Sequence, residues 1–114
     1  MHTFFDRQPS KVADALVGKV LCVGDVRCTI LDVLARTEED NKQWINSKPL
    51  FGEKPVDVYV SSFRGTFLLF LRTGATNTCV RIQAVSIEGN VVKGPGRTCR
   101  ALGINTERTG DIQF

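Results

Sequence analysis

The sequence predicts an α+β fold: a single compact domain in which a curved, mixed or antiparallel sheet carries two short helices. Three observations predict it. Apolar residues alternate with period two through several short segments. Two other segments open on proline and close on glycine, which is helix punctuation. Turn residues such as Gly24-Asp25 and Glu88-Gly89-Asn90 separate the strand-like runs. The domain spans residues 1–114, a length that can bury a core without metal or disulfide staples.

The elements follow in order. Pro9 is the first-turn residue of a helix whose apolar face is Val12, Ala13, Leu16 and Val17, and Gly18 stops it. Lys19–Val23 alternates like a strand. Arg27–Ala35 is the next strand, with Cys28, Ile30, Asp32 and Leu34 on one face and Thr29, Leu31, Val33 and Ala35 on the other. Arg36–Pro55 is polar and poor in β-formers, and reads as one long loop anchored by Trp44, Leu50 and Phe51. Strands follow at Val56–Ser61, Thr66–Arg72 and Thr78–Ile87, with turns at Ser62–Gly65 and Thr73–Asn77. Val91-Val92 comes after the Glu88–Asn90 turn. Gly94-Pro95-Gly96 opens a helix through Leu102, ended by Gly103, and Asn105–Phe114 is an irregular polar tail.

Composition narrows the function. A net charge of +3 is a mild basic lean that suits a polyanion partner. The longest apolar runs are too short to span a bilayer, so no membrane role is expected. The segment Met1–Asp6 lacks the basic start and apolar stretch of a secretory signal, which points to an intracellular protein, cytoplasmic or nuclear. Cys22, Cys28, Cys79 and Cys99 form no CxxC pair and read as four buried thiols in a reducing compartment. The single histidine, His2, stands at the chain end, so neither a metal nor any other cofactor is expected.

Three segments carry a resemblance. Phe4-Phe5-Asp6-Arg7-Gln8-Pro9 followed by Val12–Leu21 is similar to an "FF-x-x-P … VA-x-x-LLGK-x-L" opening. Val58-Tyr59-Val60 with Cys79–Ala84 is similar to a "YVY … VLIRA" sheet core. Gly94–Ile104 matches "GPGKL-x-x-ALGI" almost position for position. Together, over Phe4 to Ile104, the chain resembles the 3-methyladenine (alkyladenine) DNA glycosylase family, whose fold is akin to the formyltransferase C-terminal domain. The resemblance implies an ancestry in nucleic-acid handling. Family members bend duplex DNA, flip an alkylated purine out, fill the gap with a wedge residue and hydrolyse the glycosidic bond with a general-base glutamate.

The loaded positions differ. Where the family strand reads "E-x-E-A-Y", this chain has Asp32-Val33-Leu34-Ala35-Arg36. The base position holds Leu34, which cannot take a proton from water, and the stacking position holds Arg36. Asp32, about 7 Å upstream on the same strand face, is the stand-in candidate. The family's histidine has no counterpart in Glu38–Lys42, its central-strand asparagine falls at Phe70, and its "VLIRA" arginine falls at Gln83. No assembled catalytic site is therefore expected, and Leu34, Arg36, Phe70 and Gln83 mark the former base pocket.

The binding elements fare better. Phe63 aligns with the intercalating wedge, and Phe63-Arg64-Gly65 falls on a tight turn, where an aromatic beside an arginine suits base stacking and phosphate pairing. Gly94, Gly96, Arg97 and Arg100 form the helix start that could approach a phosphate. Lys42, Arg72, Arg81 and Arg108 read as surface charges, while Lys48 flanks the groove. The expected function is non-catalytic binding of nucleic acid, DNA or structured RNA, in a ribosome or other ribonucleoprotein, by a chain that is monomeric when free. The alternatives are an active DNA-3-methyladenine glycosylase using Asp32 or Glu38, and a protein-interaction module using Trp44, Leu50 and Phe51.

Overall fold

The computed structural model describes residues 2–37, 39, 58–63, 66–74, 78–104 and 112–113, with side chains over 4–37, 39, 68–74 and 78–104. Helix α1 (His2–Phe5) precedes α2 (Pro9–Leu16). Strands β1 (Val20–Val23), β2 (Val26–Arg36), β3 (Val58–Phe63), β4 (Thr66–Arg72), β5 (Cys79–Ile87) and β6 (Asn90–Lys93) follow, then α3 (Pro95–Leu102) and β7 (Ile112–Gln113). The sheet runs β3-β4-β5-β2-β1-β7, with β6 paired to β5, and its pairings are antiparallel. The expected α+β class is borne out, and the Cα radius of gyration, 13.1 Å, is that of one compact domain of this length.

Local chemistry explains the ends. Pro9 starts α2, and the Gln8 carbonyl accepts from the amides of Lys11 and Val12, both at 3.1 Å. Gly18, at φ +90°, turns the chain out of the helix and donates to the Ile30 carbonyl at 2.8 Å, which ties the helix end to β2. Pro9, Val12, Ala13 and Leu16 are buried. Val17, expected on that face, is 50% exposed: the helix ends one residue earlier and Val17 is already extended. Gly103, at φ +69°, caps α3, with its amide and that of Ile104 closing on the carbonyls of Arg100 and Cys99.

One sheet face holds the core. Leu21, Val23, Cys28, Ile30, Leu69, Leu71, Val80, Ile82 and Val85 pack with Phe5, Val12, Leu16, Cys99, Leu102 and Ile104 from the helices and their flanks. The N-terminal motif is part of this core. Phe5 is fully buried and stacks edge-on with Phe4 at 5.1 Å, while Arg7 lies over the Phe4 ring and donates to the Phe4 carbonyl.

Several expectations are corrected. Thr66 pairs with Phe63, so β3 runs two residues beyond Ser61 and the connection shortens to residues 64–65. Asn90 belongs to β6, because Glu88 (φ +51°) and Gly89 (φ +81°) alone make the left-handed two-residue turn that matches strand twist. The tail is not wholly irregular: Ile112 and Gln113 pair with Val23 and Cys22, covering the outer edge of β1. Cys22 is half-buried, unlike Cys28, Cys79 and Cys99, and all four are thiols outside any disulfide.

The strict alternation expected along β2 also fails. Ile30 pairs with Val85 and Asp32 with Ala84, so Leu31 is an extra residue; Val33 then pairs with Ile82, so Gln83 is an extra residue on β5. The two irregularities sit side by side and switch which residues face the core. Val26, Cys28 and Ile30 point inward before the switch, Val33 and Ala35 after it. Asp32 and Leu34 still share a face, but it is the face opposite Cys28 and Ile30.

Candidate nucleic-acid interface

That opposite face gathers the residues singled out as the former base pocket. Leu34 pairs with Arg81, Arg81 with Phe70, and Phe70 with Tyr59, giving one row across β2, β5, β4 and β3. The adjacent row is Arg36, Cys79 and Arg72. Directly paired antiparallel residues point to the same side, so Leu34, Arg36, Arg72 and Arg81 stand together. Leu34 is 37% exposed; the three arginine side chains are half-buried.

The expectation that Arg81 is an ordinary surface charge is corrected. Its Nε donates to Gln83 Oε1 at 2.6 Å, and its Cζ lies 6.0 Å from the Phe70 ring centroid, at the outer limit of a cation–π contact. Burial holds its guanidinium below the usual value, and the nearby Arg36 charge adds to that. A like-charge pair on a partly desolvated face favours an anion beside it. Phe70 itself is wholly buried, so it offers no ring to a stacked base.

Farther along the face, at the double irregularity, lies a depression of about 400 Å³ lined by Leu31, Asp32, Gln83, Ala84, Val91, Lys93 and Gly94. Asp32 pairs with Ala84 and Ala84 with Lys93, so these form a third row. Asp32 thus stands two residues from Leu34, in a recess of its own.

The start of α3 adjoins this recess. Gly94 donates its amide to the Gln83 carbonyl at 2.8 Å, and the Thr98 hydroxyl reaches the same oxygen at 3.5 Å. The carbonyl left over at the strand irregularity is thereby satisfied. Gly94 is needed for its φ of +104°, since a Cβ there would meet nothing within 4 Å. This narrows the expected phosphate cradle: the Gly94 amide is spent inside the fold and Pro95 has none. Gly96 is half-buried, while Arg97 and Arg100 are exposed one turn apart on α3.

Phe63 ends β3 at its pairing with Thr66, as the last paired residue before a two-residue connection; its side chain, Arg64, Lys48 and the anchors Trp44, Leu50 and Phe51 lie outside the described residues. Glu38, Lys42 and Arg108 do too. Sequence reasoning missed Arg72 and Arg81 as members of the face, and missed Lys93 altogether. The available signal was polar side chains at alternate positions of an otherwise apolar strand, Arg81 and Gln83 between Val80, Ile82 and Ala84. Among the described residues, no group of His, Cys, Asp and Glu could hold a metal, and no helix is long and apolar enough to cross a membrane.

No protein-family model matches the chain, and no curated protein is significantly similar to it.

Proposed function

We propose that this chain is a non-catalytic nucleic-acid-binding protein with a glycosylase-like frame, and that structured RNA within a ribosome or other ribonucleoprotein is its ligand. The observation that carries the reading is the arginine-bearing sheet face: Arg36, Arg72 and Arg81 in adjoining rows around Leu34. In the family the chain resembles, the position of Leu34 holds the glutamate that activates water. A leucine there removes the base and, at 37% exposed, leaves an apolar contact amid cations. Guanidinium groups fork onto phosphate oxygens and stack on base or sugar faces, so such a surface suits a folded polyanion. The net charge of +3 supports the same sign of partner.

The competing reading, an active glycosylase, has a specific observation in its favour: Asp32 lines an open recess. Its row holds Lys93 and Ala84, whereas Leu34 lies in the Arg81 row. The two readings separate in one experiment. The purified protein is titrated by fluorescence anisotropy against ribosomal RNA, plain duplex DNA and an abasic-analogue duplex at two salt concentrations, then incubated with alkylated duplex and assayed for free base. The proposal expects salt-sensitive binding, strongest on RNA, with no base released. Released base that is lost in Asp32→Asn would return the chain to the repair enzymes.

A further inference from the structure

The recess at the double strand irregularity is built differently from the arginine face beside it. Its floor is Ala84, buried and flanked in one row by Asp32 on β2 and Lys93 on β6. Two strand spacings, about 9.6 Å, separate the backbones of those charged residues. Leu31, 39% exposed because it is the extra residue of β2, and Val91, 58% exposed, are apolar walls. Gln83 completes the lining. Its Oε1 is held by Arg81 at 2.6 Å, which fixes the carboxamide and leaves its N–H₂ to donate elsewhere.

The donors and acceptors therefore have an order: a carboxylate on β2 at one end, an ammonium on β6 at the other, and an amide donor on the central strand β5 beside the small apolar floor, between apolar walls. A flat heterocycle suits that shape. Guanine alone among the common bases presents two adjacent N–H donors, at N1 and N2, next to a carbonyl acceptor at O6. Asp32 can accept both donors, and Gln83 or Lys93 can donate to O6. Adenine would set its N1 lone pair against the carboxylate, and leaving such a group unpaired is what makes a polar site selective.

We propose that this recess is a guanine-binding subsite, in which Asp32 reads the N1 and N2 edge, Gln83 and Lys93 meet O6, and Leu31 and Val91 enclose the ring. The subsite deepens the nucleic-acid reading and rests on it for the source of the base, an unstacked guanine of a bound strand. Free guanine nucleotide offers the same edge, and the test separates the two sources.

The full chain, ¹⁵N-labelled, is titrated with GMP, AMP, CMP and UMP, and in parallel with two unstructured oligoribonucleotides, one all-adenine and one carrying a central guanine. The expected result is at least tenfold tighter binding of GMP than of AMP, with amide shifts centred on Asp32, Gln83 and Lys93. Asp32→Asn, an exposed substitution, should abolish the preference while leaving the thermal midpoint unchanged. Tighter binding of the guanine oligonucleotide assigns the base to a strand. Guanine preference in the mononucleotides, with neither oligonucleotide bound, upholds the subsite and overturns the nucleic-acid reading. Equal affinity for GMP and AMP, or shifts centred away from the recess, overturns the subsite even where RNA binds.

Discussion

At the scale of single residues, close packing decides several outcomes. Gly74 donates its amide to the Arg7 carbonyl, and a Cβ there would meet Asp6 Oδ1 at 2.5 Å and the Asp6 carbonyl carbon at 2.9 Å. One of those atoms is backbone, so the N-terminal segment must move. Gly74→Ala should cost about 1–3 kcal/mol, read as a lower denaturation midpoint at unchanged slope. The thiols set an alkaline limit. Burial raises Cys28 to about 11, helped by Cys22, and raises Cys99 to about 12, from an ordinary 9.0. Once unfolded, these thiols ionise near 9, so above that pH the unfolded chain sheds protons the folded one keeps. Stability is therefore fully present below about pH 9 and declines as pH rises through 11 and 12. Denaturation midpoints across about pH 7–12 check this, and a flat profile would contradict it. In the native protein, half-buried Cys22 should react with a thiol reagent before the others.

At the scale of elements, the paired irregularities in β2 and β5 govern which residues face the core. They place Val33 against it and Leu34 on the open face; an unbroken alternation would instead have kept Leu34 with Cys28 and Ile30. Val33→Asp should therefore destabilise by about 2 kcal/mol or more, and Leu34→Asp by less than about 1 kcal/mol; the reverse order in urea unfolding would refute the assignment. The helices and most strand cores are legible in the sequence because Pro9, Gly18, Gly94 and Gly103 act locally, through fixed φ or freedom of φ. Asn105–Phe114 reads as irregular because its β7 pairing with β1 is non-local: nothing in two residues of local pattern marks a strand that exists only when an edge is offered to it. The switch of faces at Leu31 is hidden for the same reason, since a bulge is defined by the residues opposite it. The Leu34–Arg81–Phe70 row becomes visible only through register, although the resemblance already names Leu34, Arg36, Phe70 and Gln83 as neighbours.

At the scale of the whole molecule, the sheet divides the labour. One face, under α2 and α3, is the apolar core; the other carries Arg36, Arg72 and Arg81, then the recess at Asp32, Ala84 and Lys93. The core face secures the fold with no charged group in its cluster. The second face carries the guanidinium groups of Arg36, Arg72 and Arg81 in adjoining rows, and the proposed function assigns these to phosphates. The measurement that tests this most directly is the salt dependence of RNA affinity for the wild type, Arg36→Gln, Arg81→Gln and Arg81→Lys. If phosphates sit on this face, each glutamine variant weakens binding and flattens the plot of log K against log salt by about one unit, while Arg81→Lys keeps the slope. Affinity and slope unchanged in both glutamine variants would place any nucleic acid elsewhere and contradict the account.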